Sequence, residues 1–484
     1  MLKKLLPLAV AAVVVILMLL LWAPDANPKK LYHVDGGGID TTVPPVPFAK
    51  DHKGKNAVAT DGVITLSTGL DNEYYLLDSV NRTGYLYLET RLDRFINEKA
   101  HRIPLNLSIV VDHSGSMQGE KMEYAKKAAK EIVNRLSADD YVSVVIYDDN
   151  VEVIQASVQV LDKTMITRQI EKIRSDGSTN LWGGTEKGFE EVRSNYKKNY
   201  VNRVLLISDG LANVGITSNY EIRKRVQHYK DKDGITLSSF GVGLDYNELL
   251  MTDMAEAGSG NYYFIDSPDE MTALFDKELN GLLNVAAQNA ELKIKLPLGI
   301  KLRKVFAAKY EENGDEISIQ YRDLFSEETK GVLVSFTIDD DANEPLKFIS
   351  SLAYDDINDS QRKSLTTENI LKPTQESETW LTYYNKSVLQ QTILFTANEN
   401  MERAMLEADK GDFKRARGLI QANGKYLESN KEYVKDLPEL KKMDTTNLKY
   451  FDELQNAETM SADSIKFMQK SNREKSYKVR NKKQ

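Results

Sequence analysis

The chain has 484 residues, a formal net charge of −8 and no cysteine. That length allows about two to four domains. The missing cysteines exclude disulfides, thiolate metal sites, cysteine nucleophiles and an acylated-cysteine anchor. The acidic balance argues against a nucleic-acid partner, which selects basic domains. The five histidines (His33, His52, His101, His113, His228) show no paired ligand spacing, so a histidine-rich zinc site is not expected.

In chain order, residues 1–23 come first. Lys3 and Lys4 precede an uncharged apolar run from Leu5 to Ala23. At ~1.5 Å per residue the run is roughly 28 Å long, near the hydrocarbon thickness of a bilayer. The lysines favour a cytoplasmic N-terminus, with the bulk of the chain outside a cell membrane. The competing reading is a cleaved signal segment and a secreted protein; "APDAN" is a poor cleavage site. Residues 24–58 hold a glycine triplet and several prolines and read as an extracytoplasmic linker. Residues 59–103 alternate like strands, as in "GYLYLETRLDRF".

Residues 104–286 change character. Short apolar runs ("LNLSIVVD", "NRVLLISDG", "ITLSSFGVG") alternate with helical patterns such as "MEYAKKAAKEIVNRL". This alternation predicts a largely parallel sheet covered on both faces. Residues 287–374 revert to about five strands, read as a β-sandwich that the 59–103 strands complete, with the α/β domain inserted. From 375 to 484 the pattern is helical. It includes one hairpin like a tetratricopeptide repeat, turning at "DKGDF", and ends in a basic tail. A solvated end and a contact with anionic lipid or wall polymer are the two readings of that tail.

The chemistry gathers at strand ends. Asp112 closes an apolar strand, and Ser114 and Ser116 follow at alternate positions before a helix. "DGSTNLWGG" places Thr179 in a glycine-flanked loop, and "LLISDGLANVG" places Asp209 at the end of a second apolar strand. In open α/β sheets ligands bind beyond the carboxyl ends of the strands. Neutral hydroxyls with a few carboxylates suit a hard cation such as Mg²⁺, with Mn²⁺ or Ca²⁺ as alternatives. Plain helix capping by Ser and Asp is the bland reading, but it leaves Thr179 and Asp209 as coincidences. The spacing lacks the nucleotide P-loop pattern and the serine nucleophile elbow. "DDDANE" at Asp339–Glu344 lacks the EF-hand spacing and reads as a hairpin turn. Trp182 is either a contact surface or a packed rim aromatic.

These motifs carry a resemblance. "DHSGSM", "GSTNLWGG" and "LLISDGLANVG", in this order, resemble the metal-ion-dependent adhesion site (MIDAS) of von Willebrand factor type A (VWA) domains. The strand-rich flanks resemble bacterial VWA surface proteins related to the inter-alpha-trypsin inhibitor heavy chains. The resemblance implies a doubly wound, Rossmann-like α/β domain within a multidomain chain. It implies that Ser114, Ser116 and Thr179 bind Mg²⁺ directly or through water, with Asp112 and Asp209 acting mainly through water. It also implies a protein partner whose Asp or Glu carboxylate completes the metal. The expected function is therefore a membrane-anchored, metal-dependent protein-binding module, an adhesin or assembly scaffold, and not an enzyme. The alternative is an accessory subunit or Mg²⁺-dependent hydrolase of the cell envelope, which the absence of a positioned base or nucleophile disfavours.

Overall fold

The computed structural model describes residues 51–482, apart from 80–81, 95–102, 210–211, 245, 266–267 and 358–360. The apolar 1–23 segment and most of the linker lie outside the described residues. Among the described residues no helix is long and apolar enough to cross a membrane.

A six-stranded sheet forms the α/β domain. Its spatial order is Ser259–Ile265, Thr236–Val242, Val201–Ser208, Leu105–Asp112, Tyr141–Tyr147, Val151–Gln159. All pairings are parallel except the last, a hairpin closed by a turn at Asp148–Asn150. The two central strands, Leu105–Asp112 and Val201–Ser208, are buried at every position. That is why they read as continuous apolar runs and not as alternation. Their pleat divides the core between the two faces. Leu107, Ile109 and Val111 pack with Met122, Ile132 and Phe275 of the helices Glu120–Arg135 and Pro268–Leu283. Val110, Leu206 and Val145 pack with Phe189, Ile222 and Met251 on the other side. Each such fully buried side chain contributes about 1.5–3 kcal/mol. Asn106, buried in the same strand, donates to the side chain of Asn202 at 2.9 Å and the carbonyl of Val192 at 2.7 Å. Val111 pairs with Ile207. This register brings the carboxyl ends of the two central strands to one edge.

Two further sheets flank this domain. The first has the order Ala57–Asp61, Ile64–Leu70, Thr83–Leu92, Thr329–Ile338, Ile300–Phe306. The second runs Glu311–Asn313, Glu316–Phe325, Val285–Lys295, Leu346–Asp356, Arg362–Thr374, Tyr74–Leu76. Their inner side chains form one hydrophobic cluster, with Leu66, Leu88 and Phe336 from one sheet and Leu292, Phe348 and Leu352 from the other. Thr83–Leu92, before the α/β domain, pairs antiparallel with Thr329–Ile338, after it. The Asp339–Glu344 segment connects Thr329–Ile338 to Leu346–Asp356.

Arg362–Thr374 is the longest strand described, and the sequence pattern does not announce it. Two of its buried positions are Thr367 and Asn369. Both meet Thr68, whose hydroxyl donates to Asn369 Oδ1 (2.7 Å) and lies 2.9 Å from Thr367 Oγ1. A polar contact across the sheets thus replaces the apolar alternation that marks a strand.

Four long helices follow: Lys386–Asp409, Phe413–Ser429, Pro438–Asn456 and Ala462–Arg480. Gly411, at φ +81°, makes the turn between the first two, where a side chain would be strained. The last helix corrects the reading of the basic tail as a solvated end. Lys470 donates to the carbonyl of Tyr246 at 3.0 Å, and Arg473 pairs with Glu248 at 3.2 Å and with Asp409. Arg480 reaches Glu256 and Glu402, and the Tyr477 hydroxyl accepts from the backbone N–H of Tyr262 at 3.0 Å. Glu248, Glu256 and Tyr262 belong to the α/β domain, whereas Glu402 and Asp409 lie in the first long helix. The cations of residues 470–480 therefore bind the helices to the α/β domain.

Candidate functional site

Asp112 ends its strand fully buried. Its Oδ1 accepts the backbone N–H of Ser114 at 2.9 Å, which shapes the turn. Its Oδ2 accepts the hydroxyls of Ser208 at 2.7 Å and Tyr147 at 3.3 Å. Burial pushes the Asp112 carboxyl up from its ordinary range. The hydrogen bonds from Ser114 and Ser208 oppose that rise, and the neighbouring Asp209 adds to it.

The hydroxyls follow in sequence. Ser114 Oγ lies 3.1 Å from Ser116 Oγ, and Ser116 Oγ donates to Asp209 Oδ1 at 2.8 Å. Ser114 and Asp209 are buried, while Ser116 stays exposed. The chain from Asp112 to Asp209 is thus continuous and opens to solvent on the Ser116 side. The Asp209 Oδ2 atom carries a cation already, the Lys121 ammonium at 2.5 Å.

Thr179 arrives through its backbone. Its N–H donates to Asn213 Oδ1 at 2.9 Å, and its carbonyl accepts from the N–H groups of Asn213 and Val214. Its loop is laced to the Asp112 turn by Gly115 N–H to the Gly177 carbonyl (3.1 Å) and Asp176 N–H to the His113 carbonyl (2.8 Å). Gly177 adopts φ +72°, and a Cβ there would stand 3.0 Å from the Asp148 and Asp149 side chains. The structure therefore links Asp112, Ser114, Ser116 and Asp209 in one side-chain network and docks the Thr179 loop against it.

His113 takes no part in this network. Its Nδ1 lies 2.9 Å from the Arg174 carbonyl, and its Nε2 is 3.8 Å from Asp148. Trp182 is 2% exposed, with Arg225 over its ring at 5.7 Å, which settles it as a packed aromatic. Sequence reasoning missed Lys121, Ser208 and Tyr147. Ser208 and Tyr147 are the last residues of the strands on either side of Asp112, so strand ends beside the motif were the available signal.

The donor atoms suit a hard cation: two carboxylates and hydroxyls, all oxygen. Adjacent ligand oxygens of an octahedral Mg²⁺ lie roughly 2.9 Å apart, given Mg–O bonds of about 2.0–2.1 Å. The Ser114–Ser116 and Ser116–Asp209 separations, 3.1 and 2.8 Å, lie close to that length. The same lengths also suit the hydrogen bonds that hold the set together.

Comparisons with known proteins agree with this architecture. Residues 106–277 match the model of the von Willebrand factor type A domain. The uncharacterized protein YfbK of Escherichia coli (strain K12) is 31% identical over 202 residues, covering 41% of this chain and 35% of that protein. Inter-alpha-trypsin inhibitor heavy chain H2 of Mesocricetus auratus is 33% identical over 206 residues, covering 40% of this chain and 22% of its own length. The match thus spans well under half of either relative. The solved structure of the von Willebrand factor type A protein from Catenulispora acidiphila superposes with a TM-score of 0.64 at 13% identity. It covers 84% of this chain and 93% of that one, a likeness of fold. Residues 106–277 are thus similar to a von Willebrand factor type A domain.

Proposed function

We propose that this chain is a metal-dependent protein-binding module working outside the cell membrane. Ser114, Ser116 and Thr179, with Asp112 and Asp209 beside them, hold a divalent cation, and Mg²⁺ fits the donor set best. The partner supplies an Asp or Glu carboxylate. When bound, the cation supplies a positive charge for that carboxylate in a site shielded on its inner side by the sheet. The protein's own groups do the rest: Ser208, Tyr147 and the Ser114 N–H orient Asp112, and the Thr179 loop is fixed by Asn213. The observation that carries this reading is the unbroken network from Asp112 through Ser114 and Ser116 to Asp209 at one sheet edge.

The rest of the chain presents this edge. Residues 59–103 and 287–374 form a β-sandwich into which the domain of 104–286 is inserted, and the helices of 375–484 brace it. Residues 1–23 anchor the protein, leaving the site extracytoplasmic as an adhesin or assembly scaffold. The test is capture of candidate surface proteins by the purified chain with Mg²⁺ and with EDTA. Capture is expected with Mg²⁺ alone and is expected to vanish in Asp112→Ala. Capture that survives both EDTA and Asp112→Ala would overturn the reading.

A further inference from the structure

Lys121 is the second residue of the helix Glu120–Arg135. A cation there opposes the helix dipole, which favours anions at an N-terminus. Glu120 and Glu123 in the same turn follow that preference. Lys121 does not, so something else fixes its place. Its ammonium meets Asp209 Oδ2 at 2.5 Å and the Ser116 carbonyl at 3.3 Å, both within the network that crosses the site. Gly243, at φ +78°, backs it from the next loop. A Cβ at 243 would stand 3.1 Å from Lys121 Cε and 3.2 Å from Nζ, so the missing side chain leaves room for the lysine head. The Lys121 side chain is 29% exposed, whereas Asp209 is fully buried. One partner can leave for water and the other cannot.

We infer that Lys121 is a built-in counter-ion, which neutralises Asp209 when no divalent ion is present and is displaced when one binds. The inference rests on the metal reading above. A buried carboxylate beside a second one is costly without a cation. The tethered ammonium removes that cost in the ion-free protein, and so lowers the net gain from Mg²⁺. Ion binding becomes an exchange of one cation for another. Lys121 thereby sets the affinity of the site without being a ligand.

The experiment is Mg²⁺ titration of the full chain by calorimetry, with melting curves in EDTA, for wild type, Lys121→Met and Lys121→Arg. Lys121→Met keeps most of the stem and removes the charge. It is expected to melt at a lower temperature in EDTA. It should bind Mg²⁺ more tightly than wild type, on the order of tenfold, because a repelling charge has left the site. Lys121→Arg keeps the charge and should stay near wild type in affinity. Equal or weaker Mg²⁺ binding by Lys121→Met overturns the counter-ion role while leaving the metal reading intact. No Mg²⁺ binding by either protein overturns the metal reading, and this inference with it.

Discussion

The α/β domain carries two polar clusters on the same parallel strands. The rim cluster of Asp112, Ser114, Ser116 and Asp209 lies at their carboxyl ends. The other centres on Glu278 and Arg203. Arg203 sits in the same strand as Asp209's approach, six residues earlier, roughly 20 Å at strand rise. At Glu278 each carboxylate oxygen accepts two hydrogen bonds. Arg203 Nη1 (2.8 Å) and Ser238 (2.5 Å) reach Oε1, and Asn261 (2.6 Å) and Tyr263 (2.8 Å) reach Oε2. Arg203 and Glu278 are both almost wholly buried, and the other side of the guanidinium faces the Asp323 carboxylate at 3.7 Å. The rim holds two buried carboxylates against one half-exposed ammonium, and its outermost hydroxyl faces water. A network closed off from water fixes a helix, here Pro268–Leu283, to the sheet. One that opens to water leaves its outermost hydroxyl, Ser116, within reach of solvent. The difference lies in exposure, since each sets two carboxylates against one cation, and only at the rim does that cation reach water.

Breaking the closed cluster should have the largest effect. Arg203→Met leaves the Glu278 charge buried without its partner, and it is expected to destabilise the protein by about 3–5 kcal/mol in urea unfolding. Adding Glu278→Leu to it should recover part of that loss, because the stranded charge goes with it. A double variant no more stable than Arg203→Met would show that packing, not charge, governs the site.

The closed cluster should also be visible in the acid limb. Burial alone would raise the Glu278 pKa, but Arg203 and the hydrogen bonds from Asn261, Ser238 and Tyr263 bring it below the ordinary value. A folded pKa below the unfolded value of about 4.3 contributes stability above that pH. That contribution is lost as pH falls through about 4 towards the folded pKa. Wild type should lose urea resistance across this range faster than Glu278→Gln, whose curve should be flatter and lower at neutral pH. Parallel curves would remove Glu278 as a source of acid sensitivity.

The smallest effect is expected at the outer strand. Asn261 and Tyr263 turn towards Glu278, while the N–H of Tyr262 between them is taken by Tyr477 of the last helix. Tyr477→Phe should cost about 1–2 kcal/mol by leaving that N–H without its partner. It should also raise hydrogen exchange at Tyr262 while leaving Mg²⁺ affinity at the rim unchanged. A change in that affinity would mean that the two clusters are coupled.

The rim was legible in the sequence and the closed cluster was not. Asp112, Ser114 and Ser116 sit close together in the chain, Thr179 follows Gly177 by two residues and Asp209 precedes Gly210, where turn chemistry is local. Arg203 and Glu278 are separated by 75 residues and lie within a strand and a helix. Their pairing exists only in the folded domain. The strand Arg362–Thr374 was hidden for a related reason: Thr367 and Asn369 look like exposed positions until Thr68 is placed opposite them. The tail of Lys470, Arg473 and Arg480 reads as a solvent face because its acidic partners come from two other helices.

The strand Leu105–Asp112 begins where the α/β domain joins the flanking sheets and ends at the rim. The return strand Val285–Lys295 starts near the same junction, where the Gln288 side chain meets the Tyr200 carbonyl. A pull on a partner held at Asp112 along the strand axis would therefore travel straight to the junction. Leu105–Asp112 is hydrogen-bonded on both sides, to Tyr141–Tyr147 and to Val201–Ser208. Tension in that direction shears these bonds together and does not unzip them one at a time.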